Sequence, residues 1–117
     1  MDASTFLPLT DLAFNVLVAL KDAELHGYAL IKELRARTGR AGLRTGTVYA
    51  ALSRLQDQGL VVESGERPAP DQDDRRRRYY GITPLGLAVA EAEAARLAEL
   101  LDIARTKNLL RDPLAGP

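Results

Sequence analysis

The stretch GTVYAALSRLQDQGLV, residues 46–61, carries Val48, Leu52 and Leu55 at i, i+4 and i+7, the spacing of one buried helical stripe. It predicts a short helix that starts near Thr45 and closes on Gly59, after which the chain turns β-branched. At about 100° per residue, Thr47, Ala50 and Arg54 point away from that stripe, with Gly46 and Ser53 beside them. This outer face is small, polar and basic, with no bulky apolar side chain. A face of that kind suits close approach to base edges in a groove.

Upstream, HGYALIKELRARTG reads as a helix over Gly27–Thr38, with Ile31 and Leu34 buried and Gly39 as its C-terminal stop. Before it, LTDLAFNVLVALKDAEL opens with Thr10 as N-cap and places Leu12, Ala13, Val16, Leu17 and Leu20 on one stripe. Phe14 and Val18 fall off that stripe, so this helix is apolar on more than one side and has room for two partners. The second and third helices are joined only by RAGLR, residues 40–44, which is the compact connection of a helix-turn-helix.

Downstream, LVVES and RRYYGIT read as two strands, with Tyr80 and Ile82 on one face. Between them GERPAPDQDD, with its two prolines, one glycine and three aspartates, reads as a turn. The pair is a β-hairpin wing. From Thr83 as N-cap and Pro84 at the first helical position, a last helix is expected to run to about residue 110, before the tail RDPLAGP. The expected fold is therefore mainly α with a small β-hairpin wing. A winged helix-turn-helix domain spans 1–83, a C-terminal dimerisation helix 84–110 and a tail 111–117. The last helix is longer than covering three short helices requires. It carries one apolar stripe of Leu97, Leu100, Leu101 and Ala104 and another of Leu85, Val89 and Ala92. Packing on a second subunit is expected to involve Phe14, Val18, Val89, Leu97, Leu100, Leu101 and Ala104.

The 117 residues are enough for one modest core. With 46% hydrophobic and 27% charged residues and no apolar run of about 20, the chain reads as soluble and globular, with no membrane segment. Its first twenty residues give no secretory signal, and it has no cysteine, so the cytoplasm is the expected compartment. Without Cys and with a single His, a soft-ligand zinc site is excluded, and no cofactor is expected. Net charge is zero, but its distribution is uneven. Arg35 to Arg54 holds five arginines and no acid, Glu63 to Asp74 holds five acids against Arg67 alone, and Arg75 to Arg78 follow. A polyanion responds to the local patch because salt screens charges beyond about 10 Å.

An enzyme is not expected. A nucleophile needs a base, and His26 is the only imidazole, beside Gly27 rather than near a Ser-bearing turn. GTVYAALSR lacks phosphate-loop spacing, and Glu91 and Glu93, two apart on a helix, face different directions.

In LTDLAFNVLVAL, HGYALIKEL, GTVYAALSRLQDQGLV and RRRRYYGITPLG, covering roughly residues 9–86, the sequence resembles the PadR-like transcriptional regulators, in particular their compact subgroup with one C-terminal helix. The resemblance implies a bacterial winged-helix homodimer, joined by its last helix against the first, that represses promoters by binding double-stranded DNA. This chain departs from the family pattern in having Arg44 and Thr45 where a small polar cap and Pro are usual, Ala50 where Pro commonly follows the Tyr, and a longer, more acidic wing. Some relatives hold flat aromatic compounds in the dimer interface with a tryptophan. This chain has none, so that mode is not carried over, and a small-molecule effector stays open.

The DNA-binding set expected from these readings is Arg44, Thr45, Thr47, Tyr49, Ala50, Ser53 and Arg54 with Arg75, Arg76, Arg77 and Arg78. Three of these readings have a plainer alternative. Tyr49, beside the core stripe, either packs or donates its hydroxyl to a phosphate, Arg54 could be solvated or pair with Asp57, and the arginine run could balance the wing aspartates. Strand alternation lets only two of the four arginines reach one surface. His26 is read as a structural residue at the start of the second helix, and Tyr79 and Tyr80 as strand packing. The competing class is a winged helix that binds another protein and no DNA.

Overall fold

The structure is a computed structural model that describes residues 2–39, 43–68 and 76–111. Four helices and three strands follow a single 3-10 turn at Ala3–Phe6. In chain order they are α1 Asp11–Leu20, β1 Leu25–His26, α2 Gly27–Thr38, α3 Thr45–Asp57, β2 Val61–Pro68, β3 Arg76–Ile82 and α4 Pro84–Thr106.

The helix ends follow the local chemistry. Thr10 accepts from the Ala13 N–H at 3.1 Å, and Thr83 accepts from the Gly86 N–H at 2.9 Å with Pro84 next in line. Gly39 takes the left-handed conformation that stops α2. At the end of α3, Gly59 has φ 77°, and the Leu60 and Gly59 N–H groups donate back to the carbonyls of Leu55 and Gln56. Leu55 and Leu60, at the two ends of that motif, are both buried. α4 stops earlier than the apolar spacing predicts, at Thr106 rather than about residue 110. Asn108 adopts φ 61°, and the Leu109 N–H closes on the Ala104 carbonyl at 2.9 Å. A left-handed asparagine ends the helix although the leucines continue.

The stripes read from sequence converge in one core. Val16, Leu17 and Leu20 of α1, Leu30, Ile31 and Leu34 of α2, and Val48, Leu52 and Leu55 of α3 are buried together. Val89 of α4 joins them. It is fully buried within its own chain and has no surface left for a partner, so it belongs to the core and not to a subunit seam. The sheet has the order β1–β3–β2, all antiparallel, with β3 central. The two-residue β1 is an element the sequence did not announce. A bulge between Glu63 and Gly65, where Gly65 has φ 112°, shifts the hairpin register.

Gly86 fixes how α4 meets the sheet. A Cβ there would overlap the Leu60 carbonyl and lie 2.9 Å from Ile82 Cγ1. Thr83 adds a hydroxyl that donates to the Gly59 carbonyl at 2.7 Å, joining the end of the hairpin to the end of α3. Beyond Leu97, α4 leaves this core: residues 98–111 are exposed apart from Ala104. The protein is accordingly elongated, 54 × 36 × 23 Å.

Candidate nucleic-acid interface

α3 buries Val48, Leu52 and Leu55 and leaves Thr45, Gly46, Thr47, Tyr49, Ala50, Ser53 and Arg54 exposed. The sequence-derived outer face is therefore one continuous strip along the helix. Arg44, at the N-cap, is exposed, and its side chain makes no capping bond. The turn before α3 is held from α2. Both Nε and Nη2 of Arg35 donate to the Leu43 carbonyl, at 3.0 and 2.7 Å, while Leu43 itself is buried. Arg35, counted in sequence only as part of a basic run, is thus a clamp that aims α3. The signal for it was weak, since nothing in its spacing separates it from Arg37, which pairs with Glu33 at 2.8 Å.

The Tyr49 ring packs inward, the plainer of its two readings, while part of it stays on the surface. The phenol covers Gly27 at the start of α2, where a Cβ would lie 2.7 Å from Tyr49 Cζ. Burial pushes the Tyr80 hydroxyl above the usual tyrosine range, and the neighbouring Tyr49 phenol adds to the effect. Tyr49 therefore stands where α3, α2 and β3 meet.

The wing arginines separate. Arg75 lies outside the described residues, and Arg76 opens β3. Arg78 is exposed, with Nε 3.7 Å from a Glu63 carboxylate oxygen. Arg77 is half-buried on the opposite face, its guanidinium carbon 5.5 Å from the centroid of the Tyr28 ring. His26 is buried and structural: its Nδ1 accepts from the Ala29 N–H at 3.2 Å and caps α2. Its ring stacks with Tyr28 and meets the Tyr79 edge, with centroids 6.4 and 5.4 Å apart. Tyr79 and Tyr80 are strand packing, as expected.

Of the residues assigned to a subunit seam, Phe14 and Val18 of α1 line an apolar groove of about 230 Å³ together with Leu87, Ala90 and Ala94 of α4. Leu97 and Ala104 are half-buried, and Leu100 and Leu101 are exposed. Glu93, at 1% exposure, is a residue whose role the sequence did not reveal. It accepts from the Leu9 N–H at 2.7 Å and from Arg96 Nε, fastening the N-terminal segment to α4. The Arg96 bond, then the Leu9 N–H, hold its carboxyl below the usual glutamate range against the opposing effect of burial. Among the described residues there is no cluster fit for a metal ion, and no helix is long and apolar enough to cross a membrane.

A three-helix core, a third helix with a bare polar strip, and a hairpin wing define the winged helix-turn-helix class, the fold of DNA-binding regulators. Within that class, this chain belongs to the transcriptional regulator PadR-like family, whose pattern matches residues 16–92. Members are regulators of transcription and not enzymes. Solved structures agree in fold. A PadR family transcriptional regulator from Eggerthella lenta is 27% identical with a TM-score of 0.66, covering 86% of this chain and 83% of its own. A PadR-like transcriptional regulator from Bacillus cereus is 23% identical with a TM-score of 0.71, covering 86% and 93%. A protein encoded in transposon TN4556 of Streptomyces fradiae is 36% identical over 90 residues, which are 77% of this chain. The matched segment spans about a quarter of that protein's length, 24%.

Proposed function

We propose that this chain is a repressor that binds an imperfectly palindromic promoter site as a homodimer and excludes the transcription machinery by occupying it. The observation that carries the reading is the outer strip of α3, where the small and polar Thr45, Gly46, Thr47, Ala50 and Ser53 lie exposed between Arg44 and Arg54, with the part-exposed Tyr49 ring beside them. In the major groove, Thr47, Ala50 and Ser53 would meet base edges and thymine methyls, while Arg44, Arg54 and the wing supply salt-dependent attraction to phosphates. A dimer supported by the apolar end of α4 would present two such helices to successive grooves about 34 Å apart.

Selection of bound sequences from random DNA tests class, symmetry and spacing together. The expected product is a two-fold motif with half-sites one helical turn apart, bound with a steep loss of affinity in salt. Failure to enrich any sequence, with binding insensitive to salt, would overturn the reading in favour of a protein-binding winged helix.

A further inference from the structure

We infer that Arg77 seats the wing on α2 by resting on the Tyr28 ring, and that it serves DNA binding as a positioning residue and not through a phosphate of its own, a role that rests on the DNA-binding reading above. The wing leaves the three-stranded sheet just past Tyr79. β1 pairs with β3 only at Tyr79 and Tyr80. Beyond Tyr79 the hairpin has two strands, through the pairs Glu66–Arg78, Arg67–Arg77 and Pro68–Arg76. A two-stranded ribbon is marginally stable alone. The bulge at Glu63/Gly65 lies at the same level and gives the ribbon a pivot.

Arg77 reaches back across that pivot. Its guanidinium lies over Tyr28, in the first turn of α2, and its Nη1 is 3.5 Å from His26 Nδ1. The Ala29 N–H also donates to Nδ1, so this nitrogen carries the lone pair and the ring proton sits on Nε2. With that lone pair committed to the Ala29 N–H, the ring, stacked on Tyr28 and edged by Tyr79, gives the guanidinium an aromatic shelf. The shelf is built from β1, α2 and β3, so the ribbon inherits its direction from the rigid part of the domain. Arg78, one residue on and facing the other way, also reaches back to the three-stranded part, where Glu63 pairs with Tyr80, but its Nε lies 3.7 Å from the Glu63 carboxylate with the Arg78 side chain exposed, a contact that solvent weakens. Tyr28 is 62% exposed, so its removal leaves the core intact.

The test compares Arg77→Gln, Arg77→Lys, Tyr28→Leu, Arg78→Gln and the double variant Arg77→Gln/Tyr28→Leu in the full chain. Amide hydrogen exchange is read without DNA, and binding to a random-sequence duplex is read across a salt series. Arg77→Gln and Tyr28→Leu should each speed exchange in the outer half of β3 and weaken binding roughly two- to five-fold, the factor a half-exposed cation–π contact represents. The double variant should be no worse than either single change, and Arg77→Lys should recover most of the loss. The slope of log K against log salt should stay unchanged, because the wing's contacts re-form once it docks. Arg78→Gln, which gives up an exposed ion pair at 3.7 Å, should speed exchange less than Arg77→Gln does. The inference is overturned if Arg77→Gln lowers the slope by about 0.9 with wing exchange unaltered, the mark of a direct phosphate contact. It is equally overturned if Tyr28→Leu changes neither readout. Wild-type protein that shows no salt-dependent binding would overturn the DNA reading and Arg77's part in it, whereas the exchange data decide the seating by themselves.

Discussion

The phenol of Tyr49 occupies the space that a side chain on Gly27 would need: a Cβ there would lie 2.7 Å from Cζ and 2.9 Å from Cε1, with the hydroxyl oxygen nearer still. The first residue of α2 and the exposed edge of α3 are therefore fitted to one another. The glycine is required by its neighbour's ring and not by a left-handed backbone. Through this contact the angle of the recognition strip depends on the start of the preceding helix.

Gly27→Ala should then cost stability, at most the roughly 1–3 kcal/mol usual for overpacking, because the part-exposed Tyr49 ring must swing outward to make room. Urea denaturation checks this. Adding Tyr49→Ala should return much of the loss if the clash is with the ring. If the double variant is as unstable as the sum of its parts, the penalty arises elsewhere in α2.

Arg54→Ala addresses the strip itself. Arg54 is exposed and faces away from Leu52, so the melting temperature should barely move. Affinity for a selected operator should fall by about 1–3 kcal/mol if the guanidinium meets a base edge, and by less if it meets only phosphate. A titration at fixed salt that matches the wild type would remove Arg54 from the interface.

The helices and the bare face of α3 were legible because each rests on local signals. Thr10, Thr83, Pro84, Gly39 and Gly59 mark boundaries, and Val48, Leu52 and Leu55 mark a face. What escaped depends on contacts between segments distant in the chain. β1 exists because Leu25 and His26 find Tyr80 and Tyr79, and two residues carry no period. The burial of Glu93 depends on the Leu9 N–H, 84 residues earlier, which donates to it. Strand alternation already divides the arginine run in sequence, but does not reveal the partners, Tyr28 for Arg77 and Glu63 for Arg78. Val89 was assigned to a partner because its stripe was visible, while the depth of the groove receiving it was not.

Glu93 gives a pH dependence with a definite sign. Its folded-state pKa lies below the unfolded value of about 4.3, so the folded state binds fewer protons and the stabilisation is present above that value. It is lost as pH falls through the acid range towards the depressed folded pKa. Glu93→Gln keeps an acceptor for the Leu9 N–H and gives up the charge facing Arg96, and should cost about 1–2 kcal/mol at neutral pH. The gap between wild type and variant should narrow progressively over the window below the unfolded value of about 4.3 in parallel urea titrations. A gap that stays constant over that window would show that Glu93 acts only as a hydrogen-bond acceptor.

The distal half of α4 bears on the subunit state. Leu100, Leu101 and Ile103 are 50%, 46% and 53% exposed, and the groove between Phe14 and Val18 of α1 and Leu87 of α4 lies nearer the start of the same helix. Covering these side chains with a second copy removes apolar surface from water at roughly 25 cal/mol per Å², before the costs of association are subtracted. Leu101→Asp should place an unpaired charge in such a seam while leaving the monomer's core untouched, because Leu101 takes no part in it. The expected result is a folded monomer by circular dichroism and sedimentation, with operator affinity reduced because a single winged helix engages only one half-site. Wild-type protein that sediments as a monomer at micromolar concentration and still binds a palindrome tightly would sink the dimer, and would leave the end of α4 free for a partner of another kind.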